Sequence, residues 1–199
     1  DTPTPSVSEP SATIATVADY NIGNPVLSEL YISPSGDDAN SGTSPASPLR
    51  TLTAAWGKIP AGPLTTTGYR LNLLPGTYPC EPDEATNCVN QVADRAGTYA
   101  QPIIIRAYNG RGTVTLRGGL EIAHVSYLYL IDLMLAGGGD IPVNISGNNL
   151  LHLYDGHYVL LRGVALAGPP CDNDTCNNLR EVCKVNQAQD VYVEDSSMG

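Results

Sequence analysis

Val125-Ser126-Tyr127-Leu128-Tyr129-Leu130-Ile131-Asp132-Leu133-Met134-Leu135-Ala136-Gly137 is answered 31 positions on by Gly156-His157-Tyr158-Val159-Leu160-Leu161-Arg162-Gly163-Val164-Ala165-Leu166-Ala167-Gly168. A third pass opens at Asp190-Val191-Tyr192-Val193-Glu194-Asp195, offset by 32 from the second. A fixed period near 30 is the mark of a stacked repeat. Within each pass the apolar period is two. Leu128, Leu130 and Leu133 form one inward set, Val159, Leu161 and Val164 the next, and Val191 and Val193 the last. Alternation over short runs, with glycines between them, argues for strands with one buried face. Each pass is therefore one coil of a strand solenoid, with coils stacked about 4.8 Å apart. Leu130, Leu161 and Val193 are expected to form a single inward column. Leu160 is expected to face outward, so that its truncation costs far less than that of Leu161.

The outward rows follow from the same register. Tyr129, Leu160 and Tyr192 form one, and Ile131, Arg162 and Glu194 the other, with Arg162 and Glu194 within salt-bridge reach. Tyr129, Arg162, Tyr192 and Glu194 are the candidate ligand-binding residues, as a tyrosine platform over a charged row for a sugar. The alternative is that a loop or the N-terminal arm covers them. Asp132 and Asp195 share one position two coils apart, with Gly163 between.

The 199-residue chain is long enough for one domain with a real core. Its 20 Gly and 16 Pro, with 11 Tyr and no Phe, are turn-rich and strand-friendly. A net charge of −10 lacks the basic footprint that nucleic acid or an anionic membrane surface requires. No apolar run approaches the length of about 18 residues that a transmembrane helix needs.

Of the five cysteines, Cys80 and Cys88 flank one polar loop and Cys171 and Cys176 another. Two local disulfides are expected, as in an oxidising, extracellular or periplasmic compartment. A four-cysteine zinc site is the alternative, but it lacks a C-x2-C pair and adjacent histidines. Cys183 aligns with inward Leu151 and is expected to be a buried thiol, acting as a small apolar residue. Asn144 and Asn173 open glycosylation sequons, relevant only in a eukaryotic source.

Residues 1–29 read as a Pro/Ser/Thr-rich arm or tether that begins without a charged, apolar leader, as a processed or trimmed end does. Within it, residues 13–18 are a candidate lone strand. Residues 30–199 read as the capped part of the solenoid. They open with Leu30-Tyr31-Ile32-Ser33-Pro34-Ser35-Gly36-Asp37-Asp38-Ala39-Asn40-Ser41-Gly42-Thr43, then Ser47-Pro48-Leu49-Arg50-Thr51-Leu52-Thr53-Ala54-Ala55-Trp56, and later Leu73-Leu74-Pro75-Gly76-Thr77-Tyr78. Leu49, Leu52, Trp56 and Ile59 fall at helical spacing, so a short helix can plug the open end of the stack, with Thr51 or Ser47 as its N-cap.

These motifs resemble the N-terminal cap of secreted right-handed parallel β-helix proteins of the pectate-lyase-like superfamily, over roughly residues 30–199. The resemblance implies an all-β right-handed parallel β-helix of about 30 residues per coil with a short capping helix. It also implies an extracellular or cell-surface protein related to carbohydrate, a polysaccharide lyase or hydrolase relative or a glycan-binding module. Lyases of that superfamily carry calcium-binding carboxylates and a basic residue on one face, and no matched set stands here. Whether the chain is an enzyme is left open. The alternative function is a non-catalytic surface, adhesion or assembly subunit. Asp37, Asp38 and Asn40 are the candidate calcium ligands, against an Asx-turn in which they bind their own backbone. Asp172-Asn173-Asp174 offers the same two readings. His124, His152 and His157 are isolated in sequence. The last coil is expected to need a cover: further chain beyond Gly199, a second copy stacked end to end, or a strand lent by residues 13–18 of another molecule.

Overall fold

The computed structural model describes residues 18–79, 82–83, 87–137, 149–168 and 181–199. Its backbone is a right-handed parallel β-helix. One sheet runs β1 (Leu27–Ile32), β3 (Gly68–Leu73), β7 (Ile103–Ala107), β9 (Gly119–Ile131) and β11 (Asn149–Arg162), then β13 (Glu181–Asn186) and β14 (Gln189–Glu194). β6 (Asn87–Ala96) pairs with the first half of β9, while β7 pairs with its second half. A second sheet stacks β4 (Gly76–Tyr78), β8 (Val114–Arg117), β10 (Met134–Ala136), β12 (Ala165–Ala167) and β15 (Ser197–Met198). Short pieces at β2 (Gly62–Pro63) and β5 (Pro82–Asp83) attach to β6.

The register makes the core. Leu30, Leu71, Ile105, Leu130, Leu161 and Val193 form one inward column through six strands. Leu116, Leu135, Leu166 and Met198 form another in the second sheet. The columns agree with the expected stacking, and the buried core is continuous along the axis. On the last described coil the same positions are open, with Val185, Val193 and Met198 about half exposed (49%, 50% and 48%). Cys183 pairs in register with Leu151 as expected. It is half-buried rather than buried, on the strand that ends the described sheet order.

The long strands turn corners on single residues of positive φ. Asp94, His124, Asp155 and Gln187 form one corner column, Tyr127, Tyr158 and Asp190 a second, and Asp132, Gly163 and Asp195 a third. One left-handed residue swings the chain while its neighbours stay in the ladder. Asp and Gly suit this angle; tyrosine does not. At Gly163 the angle (φ 66°) and the space agree, since an added Cβ would meet Asp132 Oδ1 at 2.4 Å.

The cap closes the first coil. Helix α1 (Leu52–Gly57) is shorter than the apolar spacing suggested, yet Leu49, Leu52, Trp56 and Ile59 are all buried. Leu49 is held by a bridge to Ile32 instead of by the helix. Thr51 is the N-cap, its Oγ1 accepting from the Ala54 N–H at 3.0 Å. Thr51→Ala is expected to lower stability by about 1 kcal/mol in denaturant melts, whereas Ser47→Ala should leave it unchanged.

The expected bridges Cys80–Cys88 and Cys171–Cys176, the sequons at Asn144 and Asn173, the turn at 172–174 and, but for Ala18, the candidate strand at 13–18 fall outside the described residues. No helix among the described residues is long and apolar enough to cross a membrane.

Candidate functional site

The arm decides what the outer face can do. It runs from Tyr20, beside the last coils, back to Leu27, where β1 begins three residues before the expected boundary. Tyr20, Ile22 and Leu27 pack over the outward row Ile104, Tyr129 and Leu160, with Tyr127, Ile131 and Tyr192 at the margins. Tyr129 and Leu160 are both 0% exposed. Of the two readings of this row, cover by the N-terminal arm describes Tyr129: the arm roofs the outer row, and Leu160 lies in a second, smaller core. The reason is tertiary. An outward apolar row is buried as soon as an apolar segment lies across it. Tyr20 meets Tyr129 edge-on at 5.5 Å, with their hydroxyls 3.1 Å apart. Burial, then the Tyr20 hydroxyl, pushes the Tyr129 phenol far above its ordinary range.

Arg162 and Glu194 do form the expected pair, Arg162 Nε donating to Glu194 Oε2 at 2.7 Å. They grip the chain's own backbone. The Tyr20 N–H donates to Glu194 Oε1, and Arg162 Nη2 donates to the Tyr20 carbonyl at 2.6 Å. Burial pushes the Glu194 carboxyl up, but the Tyr20 N–H and the Arg162 guanidinium prevail and hold it below the usual carboxylate range. A depressed folded-state value stabilises above the ordinary Glu range and is lost as pH falls through the lowered value. The protection of the Tyr20 amide, its exchange rate relative to the intrinsic rate at the same pH, should therefore be lost in the wild type as pH falls below the ordinary Glu range. In Glu194→Gln that protection should be weaker than in the wild type at neutral pH and should not fall further on acidification.

Beside the arm runs a groove. Its first part, about 520 Å³, is lined by Ile22–Pro25 of the arm and by Arg70, Ile104, Arg106, Tyr108, Ile131 and Asp132. A second hollow of about 510 Å³ shares Ile22 and Gly23 with it and is also lined by Tyr20, Arg162 and Asp195. The groove thus follows the solenoid axis across successive coils. At its first end, Glu29, Arg70, Asn72 and Arg106 form one network. Arg70 binds Glu29 through Nε at 3.0 Å and through Nη2. Asn72, fully buried, donates to Glu29 Oε2 at 2.7 Å and accepts from Arg106 Nε at 2.7 Å. Burial pushes Glu29 up, but Arg70 and Asn72 outweigh it, so the carboxylate is held charged. The network carries two guanidiniums to one carboxylate. The Arg106 guanidinium lies 5.8 Å from the ring of Tyr108, which is 41% exposed. At the corner column, Asp132 pairs with Arg111 at 3.5 Å.

The other candidates are engaged elsewhere. Asp37 Oδ1 accepts from the Ala39 N–H at 2.9 Å, and Asp38 Oδ1 from the N–H groups of Arg50 and Thr51 at 2.8 and 2.9 Å. Asn40 donates to the Pro48 carbonyl at 2.9 Å. These three side chains hold the cap loop together: Asp37 makes the local Asx-type turn, while Asp38 and Asn40 bond to backbone 8–13 residues further on. His124 and His157 sit beside Asp94 and Asp155 at the surface, at 3.1 and 3.5 Å.

No protein-family model and no curated protein matches the chain. Two solved structures do. A pectate lyase, Pel9A, aligns over 72% of this chain and 40% of its own, with 18% identity and a TM-score of 0.47. A rhamnogalacturonan lyase aligns over 84% of this chain and 56% of its own, with 14% identity and a TM-score of 0.42. The likeness is one of fold alone. The chain spans about two fifths and about half of the lengths of these two proteins.

Sequence reasoning missed Glu29, Arg70, Asn72, Arg106 and Tyr20. The early coils are irregular. Arg70 follows its partner Glu29 by 41 residues and Arg106 follows Asn72 by 34, against 32 between Arg162 and Glu194. Aligning Leu30, Leu71 and Ile105 as one inward column would have found the network.

Proposed function

We propose that the protein binds an acidic polysaccharide in the groove beside the arm. One observation carries this: a surplus guanidinium, preorganised by buried Asn72 and flanked by the exposed ring of Tyr108, in a chain of net charge −10. A uronate carboxylate supplies the missing anion for Arg106, and the sugar's C–H face packs on Tyr108. Such a ligand suits an extracellular or cell-surface setting. Whether the bound polymer is also cleaved, by elimination or hydrolysis, is read in the same experiment.

Binding of polygalacturonate and of a neutral glucan is measured by calorimetry, while ultraviolet absorbance follows unsaturated product. Polygalacturonate should bind and the glucan should not compete for the groove. Arg106→Ala should weaken binding about tenfold or more; it also leaves the buried Asn72 Oδ1 without its donor, so a lower melting temperature is expected, and an unchanged circular dichroism spectrum at the assay temperature is the control for folding. Wild-type protein that ignores every polyuronate tested would overturn the reading. The assembly alternative rests on the half-exposed rungs Val185, Val193 and Met198, and concentration-dependent association abolished by Val193→Lys would favour it.

A further inference from the structure

The second corner column carries a surface that the groove does not use. We propose that the Tyr127–Tyr158 ring stack is a subsite for a neutral pyranose, seated on the open face of Tyr158 and hydrogen-bonded to Asp190.

The two rings lie on adjacent coils with centroids 4.5 Å apart and planes 15° from parallel. Both residues sit at positive φ, 50° and 55°, where a bulky side chain is strained and Asn, Asp or Gly would cost less. The neighbouring columns use Asp, His, Gln and Gly at this angle. Strain retained on an exposed residue points to a use for that residue. Tyr158 is 37% exposed, so its ring is not held there by core burial.

The stack stops at the next rung, where Asp190 takes the same corner position. An aspartate reaches less far than a tyrosine. Above the outer part of the Tyr158 ring there is accordingly a ledge one coil high, about 4.8 Å, backed by a carboxylate and flanked by Tyr192. Burial, the neighbouring phenols and the Asp190 charge all push the Tyr127 phenol up, and burial followed by Asp190 does so for Tyr192. These shifts agree with a carboxylate lying close to both rings.

The shape selects the ligand. Tyr127 and Tyr158 close on each other, and Tyr20 and Tyr192 are likewise in contact at 4.5 Å. They leave one flat face, not the enclosed cage that a quaternary ammonium needs. A pyranose is a disc with an apolar C–H face for the ring and hydroxyls at its edge for Asp190 to accept from. Asp190 repels a uronate, so this ledge takes the charge class that the Arg106 groove does not favour. The inference shares no residue with the groove and stands or falls separately from it.

The full chain is titrated with cellotetraose, mannotetraose, galactotetraose and trigalacturonate, following the Tyr158 ring protons by NMR and affinity by calorimetry. At least one neutral oligosaccharide should shift the Tyr158 signals. Tyr158→Asn, which tolerates the backbone angle, should weaken that binding roughly tenfold. Tyr158→Phe should retain it to within about twofold, since the face and not the hydroxyl is used. Asp190→Asn should admit trigalacturonate to the ledge. Arg106→Ala should leave the Tyr158 response intact, so failure of the groove and failure of the ledge give different results. Silence of the Tyr158 signals towards all three neutral sugars, binding that survives Tyr158→Asn, or preferential binding of tetramethylammonium would overturn the proposal.

Discussion

Leu160→Ala and Leu161→Ala are expected to destabilise the protein by similar amounts, about 2–5 kcal/mol each, although their side chains point to opposite faces of one strand. Leu161 is 2% exposed inside the solenoid, in the column with Leu130. Leu160 is 0% exposed outside it, under the arm. From alternation alone Leu160 should be the tolerant position; the arm removes that asymmetry. A double-mutant cycle separates the two cores. In a background carrying Tyr20→Ala and Ile22→Ala, the cost of Leu160→Ala should fall markedly, because its roof is gone. The cost of Leu161→Ala should stay the same, since it shares no partner with the arm. Denaturant melts of the six proteins, the two backgrounds and each leucine truncation in both, give the coupling. A Leu160 cost independent of the arm would mean that the arm does not cover the sheet in solution.

Trp56→Ala should cost about 3–5 kcal/mol, the range for a large buried aromatic. Trp56 is 6% exposed, plugs the first coil from α1 and donates its Nε1–H to the Ala93 carbonyl at 2.9 Å. That contact ties the cap to β6, not merely to the strand it follows. Trp56→Phe keeps most of the plug and loses the hydrogen bond, so it should cost less, with about 1 kcal/mol of the loss due to the bond. As the one tryptophan in the chain, it also reports on its own site. Wild-type fluorescence should change in the same transition as the strand signal in circular dichroism. An earlier fluorescence transition would show that the cap opens before the coils and is not what holds the first of them.

The repeat was legible because the later coils keep their length. From Val125 onward each inward residue has its equivalent 31 or 32 positions away, and the pairings Leu130–Leu161 and Leu161–Val193 follow directly. The cap helix was legible because its chemistry is local: Thr51 caps the helix that starts one residue later; the hold of Asp38 on the backbone of Arg50 and Thr51, 12 and 13 residues on, was not. The groove was not legible. Its residues come from coils of unequal length and from an arm that lacks the repeat altogether. Arg162 and Glu194 were correctly paired, but their third partner, the Tyr20 peptide, lies 142 and 174 residues away.

The sequence by itself determined the architecture: a period of about 30, an alternation of two, and a capping segment at the start of the stack. Those are repeated local constraints, and each coil states them again, so a single reading error is outvoted by its neighbours. Only the tertiary structure decided which outward residues are surface. Tyr129 and Tyr192 share one row and differ because Tyr129 lies in the middle of the arm's path and Tyr192 at its margin. Tyr127 lies at the margin of the roof, and Tyr158, stacked on it one coil further on, stays outside and exposed. The path of a non-repeating arm is fixed by a few long-range contacts, the Arg162–Glu194 grip on Tyr20 among them, and no periodicity encodes those.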